Sequence, residues 1–491
     1  MKNRKMLSLG ITLMMSVLFA LVFYAFTTPL GPSIGSDNAI YMTMGTAVAN
    51  GYAPYTEIFD HKGPMVYVLQ TIPQLISGGY STLAIFVQQV IFLFICLLLL
   101  EKIAGITGAP AFLVQLAYLA LIATSVGGGN LTEEYSNVFT LVGLMIILRV
   151  FGNGIPEKSS HIFAQAAMLG AMAMLCFLVR ANNALVLCAM TGVLAVCLMA
   201  RKQWSLLGRC AGGFTLGLVG AALPFADWLM AQGAFGEAIY GSILHNMMYA
   251  ETGDTSRIYM LLHSEYGHTA ILMAILSCLG AMAILKSSAS LAISMVAGAA
   301  AAGFAAFVSH KFYQHYLILG APLAAMGVAC VLGWIMKRAG KTKMAVCATG
   351  LAVCLGWLGM TGMQINAWRL EEREGIEQFT RDAQELYAMV PEEERDRFFA
   401  YRAEPKWYVV TEALPCMRFY FLQEILADAD PAVMDEIVQT FDEEPPLWIV
   451  IYYNRPFSPP YDERVQEIFD TRYEFVDARG QYQLLKLKET P

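Results

Sequence analysis

Charge is scarce over most of this chain. Of 491 residues, the first 363 carry only 18 Lys/Arg and 12 Asp/Glu, while the remaining 128 carry 14 and 27. The formal net charge of −7 therefore divides into +6 over residues 1–363 and −13 over residues 364–491. A chain that is 57% hydrophobic and 14% charged, with mean hydropathy +0.52, lies outside the range of soluble globular proteins and reads as a polytopic membrane protein. No basic stripe stands out, which argues against nucleic-acid partners.

Paired cysteines are missing too. Nine of the ten cysteines sit in apolar segments, and no CxxC or Cys/His metal spacing occurs. A disulfide framework and a zinc site are both excluded, leaving cysteine as a small apolar packing residue. There is no internal repeat and no low-complexity segment. The tail contains no nucleophile elbow, phosphate loop or metal motif.

Long apolar runs are abundant. Lys2, Arg4 and Lys5 precede an apolar stretch of 21 residues, Met6 to Phe26, about 32 Å as a helix. No small-x-small cleavage site follows, so this reads as an uncleaved first span. Eleven spans are expected, near 6–28, 81–100, 110–126, 136–150, 162–179, 183–200, 210–230, 269–285, 290–308, 316–336 and 344–363. The run from Met65 to Ile76 is too short to cross and is expected to be re-entrant or juxtamembrane. With the N-terminus cytoplasmic, the inner loops collect 14 Lys/Arg and the outer loops four: Lys62, Arg180, Arg257 and Lys311. An odd number of spans then places the tail outside.

The tail, 364–491, alternates helical and strand patterns and is expected to be a small extracytoplasmic α/β domain. Ile376, Phe379, Ala383, Leu386 and Val390 mark one helix face before Pro391. Trp407–Thr411 and Leu447–Tyr453 read as strands, 432–441 as a helix and 473–487 as a hairpin. The expected role of this domain is to cap the outer surface or select an acceptor.

Acids and histidines gather on the predicted outer face, most densely between Ser36 and Pro64. Asp37, Glu57, Asp60, His61 and Lys62 all fall there, punctuated by Gly51, Pro54, Gly63 and Pro64. Charge beside a membrane span is costly unless solvated or paired, so such a cluster marks a candidate site. Asp37 just past the first span, Tyr41, and GYAPYTEIFDHKGP (Gly51–Pro64) resemble the GT-C superfamily, membrane glycosyltransferases that use polyprenyl-phosphate sugars. Two further stretches share the likeness, NLTEEYS (Asn130–Ser136) and HKFYQHYLILGAP (His310–Pro322). The pattern is most similar to the protein-mannosyltransferase and aminoarabinose-transferase branch. Where that family often has an acid before the lysine, His61 precedes Lys62 here.

The resemblance implies an α-helical polytopic membrane domain over 1–363, with a catalytic outer loop at 30–64. It also implies inverting transfer of a sugar from a polyprenyl-phosphate lipid to an extracytoplasmic lipid, glycan or protein. Tyr41, Tyr55, Tyr313 and His315 are its implied substrate contacts, and Glu133 and Glu134 its implied second acidic pair, catalytic residues alongside Asp37. The residues fit that chemistry by themselves. Asp37 is a carboxylate able to take an acceptor's proton. Lys62, Arg180 and Lys311 are cations able to face a leaving phosphate. Asp60 and His61 are candidate ligands of a divalent metal, the one cofactor suggested. Plainer roles stay open: helix capping for Asp37, snorkelling for Lys62, helix-end anchoring for Arg180 and solvation for Glu133 and Glu134. Asn130-Leu131-Thr132 fits a glycosylation sequon. The alternative function is a non-enzymatic transporter or flippase, which calls for mid-span charge and repeated halves that the chain does not show.

Overall fold

In the computed structural model, residues 2–31, 33–154, 161–251, 256–308, 313–453 and 462–489 are described. About 75% of the described residues are helical. Helices α1 (Lys2–Phe23), α2 (Ser36–Ala49), α3 (Pro64–Ser77), α4 (Thr82–Thr107) and α5 (Ala111–Ala123) come first. Then follow α6 (Thr132–Phe151), α7 (Ile162–Val179), α8 (Leu185–Ala200) and α9 (Trp204–Ala231). Among the described residues, ten helices are long and apolar enough to cross a membrane, which makes this a multi-pass membrane protein. The eleventh expected span, 110–126, is α5, with only 13 helical residues, about 20 Å.

The chain forms two compact units. One comprises Met1–Gly31, Phe86–Asp227 and Gly253–Ala367; the other comprises residues 32–85, 228–252 and 368–491. The first is a helical bundle with a continuous apolar core that includes Leu97, Leu100, Leu144, Leu187, Met295 and Met326. Small residues set its closest approaches. A Cβ added at Gly170 or Gly217 would collide with the backbone at Phe214 or Ala167 respectively, so α7 and α9 touch main chain to main chain. Close packing of this kind is how helices associate where no hydrophobic effect separates them from lipid.

The second unit packs α2 against α3, with Gly45 directly over the Gln70 backbone. It also holds a four-stranded sheet, β1 (Phe398–Tyr401), β2 (Trp448–Tyr452), β3 (Tyr473–Arg479) and β4 (Tyr482–Leu487), in the order β1-β2-β4-β3. β1 runs parallel to β2, and the other pairings are antiparallel. The expected strand β2 and hairpin β3–β4 are present, as is a helix at Ala432–Glu443.

Two tail expectations are corrected. Trp407–Thr411 is not a strand but part of the helix Lys406–Thr411. Its β-branched and aromatic residues are overruled by packing, since Trp407 is buried against the Phe379 and Tyr482 rings. The buried hydroxyl of Tyr408 meanwhile accepts from the Ala400 amide of β1. The face marked by Ile376 to Val390 does not begin a separate helix. It continues the last span as one 45-residue helix, Lys343–Tyr387.

Candidate active site

In the second unit the site begins with a helix start. Gly35 is the N-cap of α2, without a side-chain hydrogen bond, and Asp37 lies in the first turn. Capping is therefore not what Asp37 does. A carboxylate in the first turn is favoured by the helix dipole. It is half-buried, and among the described residues it has no hydrogen-bond or ion-pair partner. Tyr41 follows one turn later on the same face, itself 2% exposed. The Lys62 ammonium stands 6.0 Å from the centre of the Tyr41 ring, the outer limit of a cation–π contact. Asp37 and Tyr41 thus share one face of α2, and Lys62 stands over the Tyr41 ring.

Lys62 is held from both sides. Its Nζ donates to His61 Nε2 at 2.6 Å, and its carbonyl accepts from the Tyr55 and Tyr67 hydroxyls at 2.7 and 3.1 Å. Burial raises the pKa of both tyrosines well above the usual range, so both remain donors. Tyr55 adopts φ +68°, a conformation an L-residue takes only when its surroundings impose it. The lysine bond leaves His61 Nε2 an acceptor, with Nδ1 facing Asp60 Oδ1 at 3.5 Å. Asp60 is 1% exposed, and its Oδ1 also accepts from the His61 amide. Asp60 and His61 are adjacent, as the sequence suggests. Among the described residues, though, no three His, Cys, Asp or Glu side chains gather to hold a metal ion.

Residues remote in sequence complete this loop. Arg418 donates Nε to the Tyr55 carbonyl at 2.8 Å, Nη1 to Glu436 at 2.8 Å and Nη2 to Glu237 at 2.6 Å. Its carbonyl accepts from the Phe59 amide. Asn246 donates to the His61 carbonyl, and Tyr420 to the Ile40 carbonyl of α2 at 3.0 Å. His245 is fully buried at the end of a single π-helical turn, Tyr240–His245, its ring 6.0 Å from that of His61. No local pattern announces Arg418 or His245. The one signal available was an isolated basic residue in an otherwise apolar stretch, CMRFYF (Cys416–Phe421).

The first unit carries the remaining candidates. Gly127, Gly128 and Gly129 at φ +51°, +101° and +91°, then Asn130 at +60°, make the tight turn that starts α6. Side chains at Gly128 and Gly129 would strike Phe26, Tyr24 and Gln89. The turn delivers Glu133 and Glu134 to the first helical turn, 1% and 8% exposed, so neither is a solvated loop acid. Glu133 pairs with Arg180 at 2.7 Å, and the Arg180 guanidinium lies 4.1 Å from the Tyr316 ring centre. Glu134 instead takes neutral donors, with Gln89 Nε2 at 3.2 Å. Tyr313, His315 and Tyr316 form a ring cluster 4.7–5.7 Å apart. Lys311 lies outside the described residues. Asn130 is fully buried and accepts from the Tyr135 hydroxyl at 2.5 Å, so it is inaccessible for glycosylation.

No family model and no curated protein sequence matches this chain. Solved structures do. The aminoarabinose transferase ArnT from Cupriavidus metallidurans, bound to undecaprenyl phosphate, superposes with TM-score 0.58 at 12% identity over 97% of both chains. Its apo form gives 0.57 at 11% identity, with the same coverage. The arabinofuranosyltransferase AftD from Mycobacteria gives 0.51 at 12% identity, over 98% of this chain and 40% of its own. Over nearly its whole length, this chain has the fold of the GT-C membrane glycosyltransferases.

Proposed function

We propose that the chain is an inverting glycosyltransferase that moves a sugar from a polyprenyl-phosphate lipid to an extracytoplasmic acceptor. One observation carries the reading: a half-buried, unpartnered Asp37 carboxylate shares a helix face with Tyr41, over which the Lys62 ammonium is held. A base and a cation so arranged suit the two charge problems of this reaction. The Asp37 carboxylate takes the proton of the acceptor hydroxyl. The acceptor oxygen bonds to the anomeric carbon as the carbon–oxygen bond to phosphate breaks, and the bonding pair leaves with the phosphate. Lys62 faces the charge that accumulates there. His61 and Asp60 act through Lys62 by fixing its head.

In the helical unit, Arg180, paired with Glu133, remains a proposed phosphate contact, and Glu133 a proposed catalytic residue. Lys311, Tyr55, Tyr313 and His315 remain proposed substrate contacts, and Glu134 a proposed acceptor contact. The ArnT and AftD likeness supports sugar transfer from a lipid donor. Neither the sugar nor the acceptor follows from it.

The test compares wild type with Asp37→Asn, purified and in nanodiscs, for transfer and for donor-lipid binding. Asp37→Asn keeps the size and removes the base. Donor binding should persist while turnover falls roughly 10²–10⁴-fold. Unchanged turnover would sink the assignment.

A further inference from the structure

One cavity of the helical unit lies at the opposite ends of α6 and α7 from Glu133 and Arg180. Its volume is about 360 Å³, it belongs entirely to the helical unit, and its walls are almost wholly apolar. Ile147 and Phe151 from the end of α6, Ala166 from the start of α7, Ala195 from the second half of α8, and Leu207 and Phe214 from the start of α9 line it. At this end the turn at 201–203 joins α8 to α9, opposite the end at which Glu133 and Arg180 sit.

That same end is basic. Arg149, Arg201, Lys202 and Arg209 are all exposed there. Arg209 adjoins the lining residue Cys210, and Arg201 follows the lining residue Leu198 by three positions. Among the described residues, none of the four has an acidic partner, and Arg209 meets only the Ser205 carbonyl. An apolar cavity in the spanning region, at the same helix ends as these exposed cations, complements a molecule with an apolar chain and an anionic head. Basic pockets between spanning helices recognise anionic lipid headgroups in just this way.

We propose that this cavity and the basic turn beside it form a binding site for one anionic phospholipid of the bilayer. One acyl chain fills the cavity, and the phosphate meets Arg201, Lys202 and Arg209. The site lies at the opposite helix ends from Glu133 and Arg180, and its test does not depend on the proposed function, because it reads lipid retention and not transfer.

The full chain, delipidated in detergent, is exposed to vesicles of pure phosphatidylglycerol, of pure phosphatidylcholine, or of phosphatidylglycerol with polyprenyl phosphate. Bound lipid is then counted by native mass spectrometry. One phosphatidylglycerol should be retained in preference to phosphatidylcholine. The pair Arg201→Gln and Lys202→Gln, both at the surface and harmless to packing, should weaken retention roughly fivefold per cation removed. Ala195→Phe, which fills the cavity, should abolish retention while the chain stays monodisperse. Equal retention of the two phospholipids, or full retention by both variants, would overturn the site. So would displacement of phosphatidylglycerol by an equal mole fraction of polyprenyl phosphate, which would give the cavity to the donor instead.

Discussion

Lys62 is worth more than its charge because its position is over-determined, with His61 at its head and two buried tyrosine hydroxyls on its carbonyl. Lys62→Ala should cost the donor complex a charge-assisted bond of about 1.5–3 kcal/mol, a loss of roughly 10- to 150-fold in donor affinity by titration. A snorkelling lysine would lose almost nothing. Arg418 makes a sharper case, since three of its donors fix one loop to two acids and a carbonyl. Arg418→Lys keeps the charge and loses the planar fork. We expect transfer to fall while sheet and bundle stay folded, read as lost activity with an unchanged circular dichroism spectrum. An activity equal to wild type would remove Arg418 from the account. At this scale the sequence was half legible. Asp37, Tyr41 and Lys62 lie within one short charged stretch and could be found by composition. Arg418 and His245 are distant along the chain and are joined to that stretch only by the fold.

Among elements, those with a strong period were readable and those set by packing were not. The spans were visible because a run of some twenty apolar residues suits little besides a membrane. The helix at Trp407 was not, because a short run of Trp, Tyr and Val suits a strand until its partners are known. β1 was missed for a related reason: four residues, Phe398–Tyr401, are too few to show alternation. The α7–α9 contact yields a prediction here. Gly217→Val places a side chain against the Ala167 backbone. Overpacking of this kind costs about 1–3 kcal/mol, and should lower the thermal midpoint in detergent. Gly220→Val, which meets nothing nearby, should leave it unchanged. Truncation is the second test at this scale. The tail reads in sequence as an outer cap, but Arg418 and Tyr420 brace the 53–62 loop and α2. Removing residues from Gly375 onward should therefore abolish transfer, rather than only redirect it to other acceptors, in an assay offering several acceptors.

For the whole molecule, the fold is that of the GT-C glycosyltransferases, and its orientation is a proposal that rests on the basic residues of the inner loops. A tag after Arg338 should be protected in intact cells, and one after Pro491 should be open to added protease. The fold alone does not separate a transferase from a flippase for the same lipid. The most direct measurement uses purified protein in liposomes loaded with a panel of polyprenyl-phosphate sugars. Both the release of free polyprenyl phosphate and the passage of intact lipid across the bilayer are followed. The account predicts that one donor is consumed, that free polyprenyl phosphate appears at wild-type Asp37 and not with Asp37→Asn, and that the sugar arrives inverted at its anomeric carbon. Intact lipid crossing the bilayer without release of polyprenyl phosphate, at a rate indifferent to Asp37, would contradict it.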